Sequence, residues 1–70
     1  MSVEVGQKYR HFKGHEYKVI AVAKHSEDLS ELVIYQDLSE PNKIWARPRE
    51  MFEEMVTKEG ETFARFELMS

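Results

Sequence analysis

Apolar residues along this chain come in short bursts, and most of the bursts keep the two-residue period of a strand. Residues 8–12 (Lys-Tyr-Arg-His-Phe) form a first short strand, and Gly14-His15 supplies the turn after it. The next burst, 17–24, is the strongest in the chain. Tyr17, Val19, Ala21 and Ala23 occupy one parity, and Ile20 and Val22 occupy the other between Lys18 and Lys24. A strand that is apolar on both faces, with small residues along one, suits a central strand bent round a tight barrel. The polar stretch 25–31 connects it to a β-rich strand over 32–36, centred on Val33, Ile34 and Tyr35. A loop over 39–43 holds the Pro41-Asn42 pair expected of a turn, and a fourth strand over 44–47 ends at Pro48.

After Pro48 the period changes. Met51, Phe52, Met55 and Val56 fall on one side of a helix, and Pro48 stands where a first helical turn tolerates it. The spacing predicts one or two helical turns over 49–53. Their apolar side acts as a lid on one end of the core, with the methionines as gap-fillers, or as a stripe for a partner. A short strand over 55–57, a Lys58-Glu59-Gly60 turn and a strand over 62–68 then make a closing hairpin. Five or six short strands with one short helix before the last pairing predict a mainly β fold. The expected architecture is a small SH3-like β-barrel, one domain over 1–70.

Size limits what such a domain can bury. A chain of 70 residues hides only about 60% of the surface its unfolded form exposes. With no cysteine, neither disulfides nor thiolate metal sites reinforce it. Folding rests on the 41% of residues that are hydrophobic, with self-association as a further source of burial. Ten basic residues against thirteen acidic ones give a net charge of −3, which counts against a dedicated DNA-backbone binder. The charge is uneven, however. Between Lys8 and Lys24 the chain sets Lys8, Arg10, Lys13, Lys18 and Lys24 against Glu16 alone, whereas 50–61 is mostly acidic. A local basic face on an acidic protein therefore stands beside the reading of scattered, solvated lysines. No apolar run approaches the roughly 20 residues needed to span a bilayer. The first residues lack the basic start and apolar stretch of a secretory leader, so a cytoplasmic location is expected.

Strand parity selects the residues that carry chemistry. In the first strand Tyr9, His11 and Lys13 point one way and Arg10 and Phe12 the other. If Phe12 enters the core, the first three share an outer surface or groove. Trp45 and Arg47 share a face opposite Ile44 and Ala46, and Phe63 and Arg65 oppose Ala64, Phe66 and Leu68. Parity thus permits one patch of Tyr9, His11, Lys13, Trp45, Arg47 and Arg65, with His25 at a strand end nearby. Rings and fixed cations together suit a carboxylate, a phosphate or a planar base. The competing reading is structural. Trp and Tyr fill the core of a small barrel, Arg47 pairs with Glu50 or Glu53, and Arg65 pairs with Glu54.

Other chemistries find less support. His11 and His15 are four apart, but along an extended strand that spacing spans about 13 Å. None of the histidine spacings fits a zinc motif, so no metal is expected. Ser26 beside His25 lacks an oxyanion-hole signature, and neighbours on an extended chain point apart. Three glycines make no phosphate-cradling loop, and the sequence requires no cofactor.

Several short motifs stand in a recognisable order: Tyr9-x-His11-Phe12-Lys13-Gly14, Tyr17, Ala23-x-His25-Ser26, Val33-x-Tyr35, Trp45-x-Arg47-Pro48, Met51-Phe52 and Arg65-Phe66. Through them the chain resembles, over about residues 8–67, a family of small bacterial domains catalogued as domain of unknown function 1653. The resemblance implies an SH3-like barrel and no assigned activity. Ala64 stands where relatives are expected to carry Pro, and Ala46 where a β-branched residue is typical. The expectation for function is a non-catalytic binding module that recognises a small anionic ligand or a peptide through the aromatic and basic patch. The alternatives are a nucleotide or single-stranded nucleic-acid binder, with Trp45 and Tyr9 stacking on bases, and a small enzyme or accessory domain using His11 or His25 as acid–base group.

Overall fold

The long apolar strand is the centre of the molecule. The structure, a computed structural model, describes residues 3–69. Its elements are β1 (Lys8–His11), β2 (Glu16–Lys24), β3 (Glu31–Asp37), β4 (Ile44–Pro48), α1 (Arg49–Phe52), β5 (Met55–Lys58), β6 (Glu61–Ala64) and β7 (Phe66–Leu68). Five strands form one antiparallel sheet in the order β4-β3-β2-β1-β7, and β5 and β6 form a separate hairpin. The fold is mainly β with one helical turn, as the periodicity predicts.

Four features differ from the sequence expectation. First, β2 is not uniformly two-sided. Val19 pairs with Tyr35 and Ala21 with Ile34, so Ile20 is an extra residue, a β-bulge that switches the parity of the strand. Before the bulge Tyr17 and Val19 face inward; after it Val22, opposite the buried Val33, does. Apolar residues on both parities therefore serve one core face in turn.

Second, the predicted strand 62–68 breaks at Arg65, which makes seven strands among the described residues. The Arg65 N–H donates to the Glu54 carbonyl at 3.0 Å, and its carbonyl accepts from the Phe12 N–H at 3.0 Å. One residue thus fastens the β5–β6 hairpin to the larger sheet. Among the described residues the ladders do not continue into a closed cylinder: β4 and β7 remain the edges of the large sheet, so the barrel expected from the sequence is not closed.

Third, the helix stops after a single turn, so Met51 and Met55 do not share an apolar stripe. They are 46% and 56% exposed, and Met55 belongs to β5. Phe52 alone plugs the sheet, at 1% exposure.

Fourth, the faces of β1 are the reverse of those expected. Tyr9 is buried among Val3, Val19, Val33, Tyr35, Phe52 and Phe66, whereas Phe12 is only half-buried against Phe63 at 5.6 Å. Tyr9 and His11 share a side, and it is the core side. Rings dominate this core: Phe52 stacks on Phe66 with centroids 4.1 Å apart, and Tyr9 meets Phe52 edge-on at 5.1 Å.

Candidate functional site: an aromatic and cationic groove

At the end of the sheet that holds the β1–β2 turn, the inner face opens into a groove of about 240 Å³. Every strand of the large sheet contributes: Phe66 from β7, His11 from β1, Tyr17 from β2, Tyr35 from β3, and Trp45 and Arg47 from β4, with Lys13 and His15 from the turn. Local chain geometry explains the turn. The His11 N–H donates to the His15 carbonyl at 2.8 Å, which leaves Phe12-Lys13-Gly14 as a three-residue connection. Gly14 closes it at φ +102°, a conformation glycine adopts without steric cost. His11 and His15, far apart on an extended chain, thereby stand opposite each other in a hairpin.

On the β4 side, register does the positioning. Trp45 lies across from Tyr35 and Arg47 across from Val33, so both share the inner face with buried residues. Because β4 is an edge strand, its inner face runs beyond the core, and Trp45 remains 48% exposed.

Arg47 is held rather than paired. Its Nε donates to the Tyr35 hydroxyl at 3.2 Å, and its guanidinium lies 5.5 Å from the centroid of the Phe66 ring. Arg10 pairs with Glu16, Arg49 with Glu31 and Glu53, and Arg65 with Glu54. Arg47 is the one arginine without a carboxylate partner among the described residues. The pairing expected with Glu50 or Glu53 does not form; that expected between Arg65 and Glu54 does, at 2.7 Å.

The imidazole of His11 meets Phe66 edge-on at 5.0 Å and stacks on Phe12 at 4.5 Å. Its Nδ1 accepts the Lys13 N–H at 3.1 Å, so in the neutral ring Nε2 carries the proton. Burial, and then the cations Arg65, Arg47 and Lys13, with a last contribution from His15, hold its pKa below the ordinary histidine value. Burial, and then the negative charge of Asp37, raise the pKa of Tyr17, so that hydroxyl remains a donor at neutral pH.

Of the residues selected by parity, the structure brings His11, Lys13, Trp45 and Arg47 to this groove and places three elsewhere. Tyr9 lies in the core, its hydroxyl donating to Gln7 at 2.8 Å. Arg65 is committed to Glu54 through Nη2, and its buried Nε finds no acceptor among the described residues. His25 sits beyond the far end of β2, eight residues and about 26 Å along the strand from Tyr17. There it closes the β2–β3 loop: its N–H donates to Ser30, its carbonyl accepts from Leu29, and its Nδ1 accepts from Glu27. Parity missed His15, Tyr17, Tyr35 and Phe66. The hairpin closing on Gly14 is the sequence signal for His15, whereas the other three read as core residues and are partly that.

Among the described residues, no group of three or more His, Asp or Glu side chains converges to hold a metal. No helix there is long and apolar enough to cross a membrane.

The sequence from residue 7 to 68, which includes every groove residue, matches the family described as Protein of unknown function (DUF1653). The chain belongs to this family. No curated protein and no solved structure shows significant similarity to this DUF1653 chain.

Proposed function

We propose that this DUF1653 chain is a non-catalytic binding module that takes a small anionic ligand, or an anionic group of a peptide, in the groove between β1 and β4. The observation that carries this reading is Arg47. An arginine pinned through Nε by Tyr35 and placed over Phe66, yet lacking a carboxylate, presents a fixed fork to whatever enters. Lys13 lines the same groove without an acidic partner among the described residues, and Trp45 adds a half-exposed ring. The bulge that bends β2 and the backbone joint at Arg65 support reading the two sheets as an open, SH3-like barrel with its binding groove on the concave side.

The test follows amide shifts and Trp45 fluorescence while carboxylates, phosphates and acidic peptides are added. The expected result is a set of shifts confined to the groove residues, abolished in Arg47→Ala and weakened in Arg47→Lys, which keeps charge but loses the fork. A panel that leaves the groove unmoved, or shifts that persist in a folded Arg47→Ala, would overturn the reading. The exposed Trp45 supports a second reading, base stacking by single-stranded nucleic acid. Oligonucleotide binding that weakens steeply with added salt would favour it.

A further inference from the structure

We propose that the anion this groove is built for is a phosphate monoester carried on a flat ring, the phosphate between Lys13 and Arg47 and the ring against Trp45. The inference rests on reading the groove as an anion site and specifies which anion.

Charge makes the first argument. Two formal positive charges, Lys13 and Arg47, line the groove, and neither meets a carboxylate among the described residues. The nearby acids are already engaged. Asp37, whose charge reaches Tyr17, turns its Oδ1 to the N–H groups of Ser39 and Glu40, Glu54 holds Arg65, and neither carboxylate lines the groove. A carboxylate brings one negative charge and leaves a cation over. A phosphate monoester, with about −1.5 to −2 at neutral pH and three terminal oxygens, matches both.

Donor chemistry makes the second. Arg47 has spent Nε on Tyr35 and retains its two Nη groups. Lys13 Nζ donates, and His11 offers Nε2–H because Nδ1 is occupied by the Lys13 N–H. Tyr17 and Trp45 line the same groove, and neither the Tyr17 hydroxyl nor the Trp45 indole N–H makes a hydrogen bond among the described residues. Donors outnumber the lone pairs of a single carboxylate and suit three phosphate oxygens.

Size and the ring make the third. About 240 Å³ is less than the roughly 300–1,000 Å³ of pockets that enclose drug-sized molecules. The groove therefore seats a head group, and the body of the ligand lies along the exposed Trp45.

The experiment compares phenyl phosphate, benzoate and inorganic phosphate as probes at pH 7.5 and constant ionic strength, read by groove amide shifts and Trp45 fluorescence. Phenyl phosphate is expected to bind at least about tenfold more tightly than benzoate, the worth of one added charge-assisted hydrogen bond, and more tightly than inorganic phosphate. In Lys13→Gln, an exposed position whose side chain makes no hydrogen bond among the described residues, the preference for phenyl phosphate over benzoate should fall towards unity. Benzoate binding as well as phenyl phosphate overturns the phosphate assignment while leaving an anion groove. Inorganic phosphate binding as well as phenyl phosphate overturns the role of the ring. Silence from all three probes overturns the phosphate assignment and the anion groove together.

Discussion

Phe66 joins the core to the groove. Its ring stacks on Phe52 at 4.1 Å on the way inward and carries the Arg47 guanidinium at 5.5 Å on the way out. Packing and recognition are thus coupled through one side chain. At this scale Phe52 is the largest fully buried side chain and makes ring contacts with Tyr9, Tyr35 and Phe66. Phe52→Ala should therefore cost about 3–5 kcal/mol of stability. Phe12→Ala, at a half-buried ring against Phe63, should cost clearly less. Urea denaturation of both variants checks the order; equal losses would mean that Phe12 belongs to the core after all. Residue parity was legible in the sequence, since Tyr9 with His11 and Trp45 with Arg47 do share sides. Which side was the inner one was not, because Phe12 looked like the natural anchor and Tyr9 took that place.

At the scale of elements, the β1–β2 turn is the part that makes the groove. The connection Phe12-Lys13-Gly14 sets Lys13 and His15 in position, and it depends on the positive φ of Gly14. Open space surrounds Gly14, so an added methyl group meets no neighbour and acts only through the backbone. Gly14→Ala should cost about 1–3 kcal/mol and weaken anion binding together with it, as calorimetric melting and groove shifts would show. Loss of stability with unchanged binding would detach the turn from the site. The bulge at Ile20 has the complementary role. It re-aims β2 so that Tyr17 can line the groove while Val22 still reaches Val33. The helical spacing of Met51, Phe52, Met55 and Val56 was misleading because α1 ends at Phe52 and the chain turns into β5. A four-residue coincidence of spacing does not outweigh strand pairing with residues further along the chain.

For the whole molecule, the cations gathered at one end of an acidic chain give stability a defined pH dependence. His11 has a folded pKa below its ordinary 6.5, so between the two values the unfolded chain holds more protons than the folded one. Its contribution is complete above the ordinary value and declines as pH falls below it. Asp37 is lowered chiefly by the Glu40 N–H, and also by the Ser39 N–H, His15 and Lys43. Its contribution is complete above the ordinary 3.8 and is lost as pH falls through the folded value. Denaturation midpoints measured against pH should therefore drop in two stages, the first absent in His11→Asn and the second reduced in Asp37→Asn. A single acid transition unaffected by His11→Asn would contradict the electrostatic account of the groove.

The amino-acid pattern by itself determined the strands, the turns at Gly14 and Gly60 and the helical start after Pro48, because period, β-branching and turn chemistry act over a few neighbouring residues. It also determined that Tyr9 and His11 share a face on β1, and Trp45 and Arg47 a face on β4. Only the tertiary structure decided which face was inner, that β2 changes parity at Ile20, that Arg65 splits the last strand, and that Arg47 stays unpaired while Arg65 does not. These depend on what lies across the sheet, up to tens of residues away in the chain, and side-chain periodicity along one strand holds no information about its neighbour.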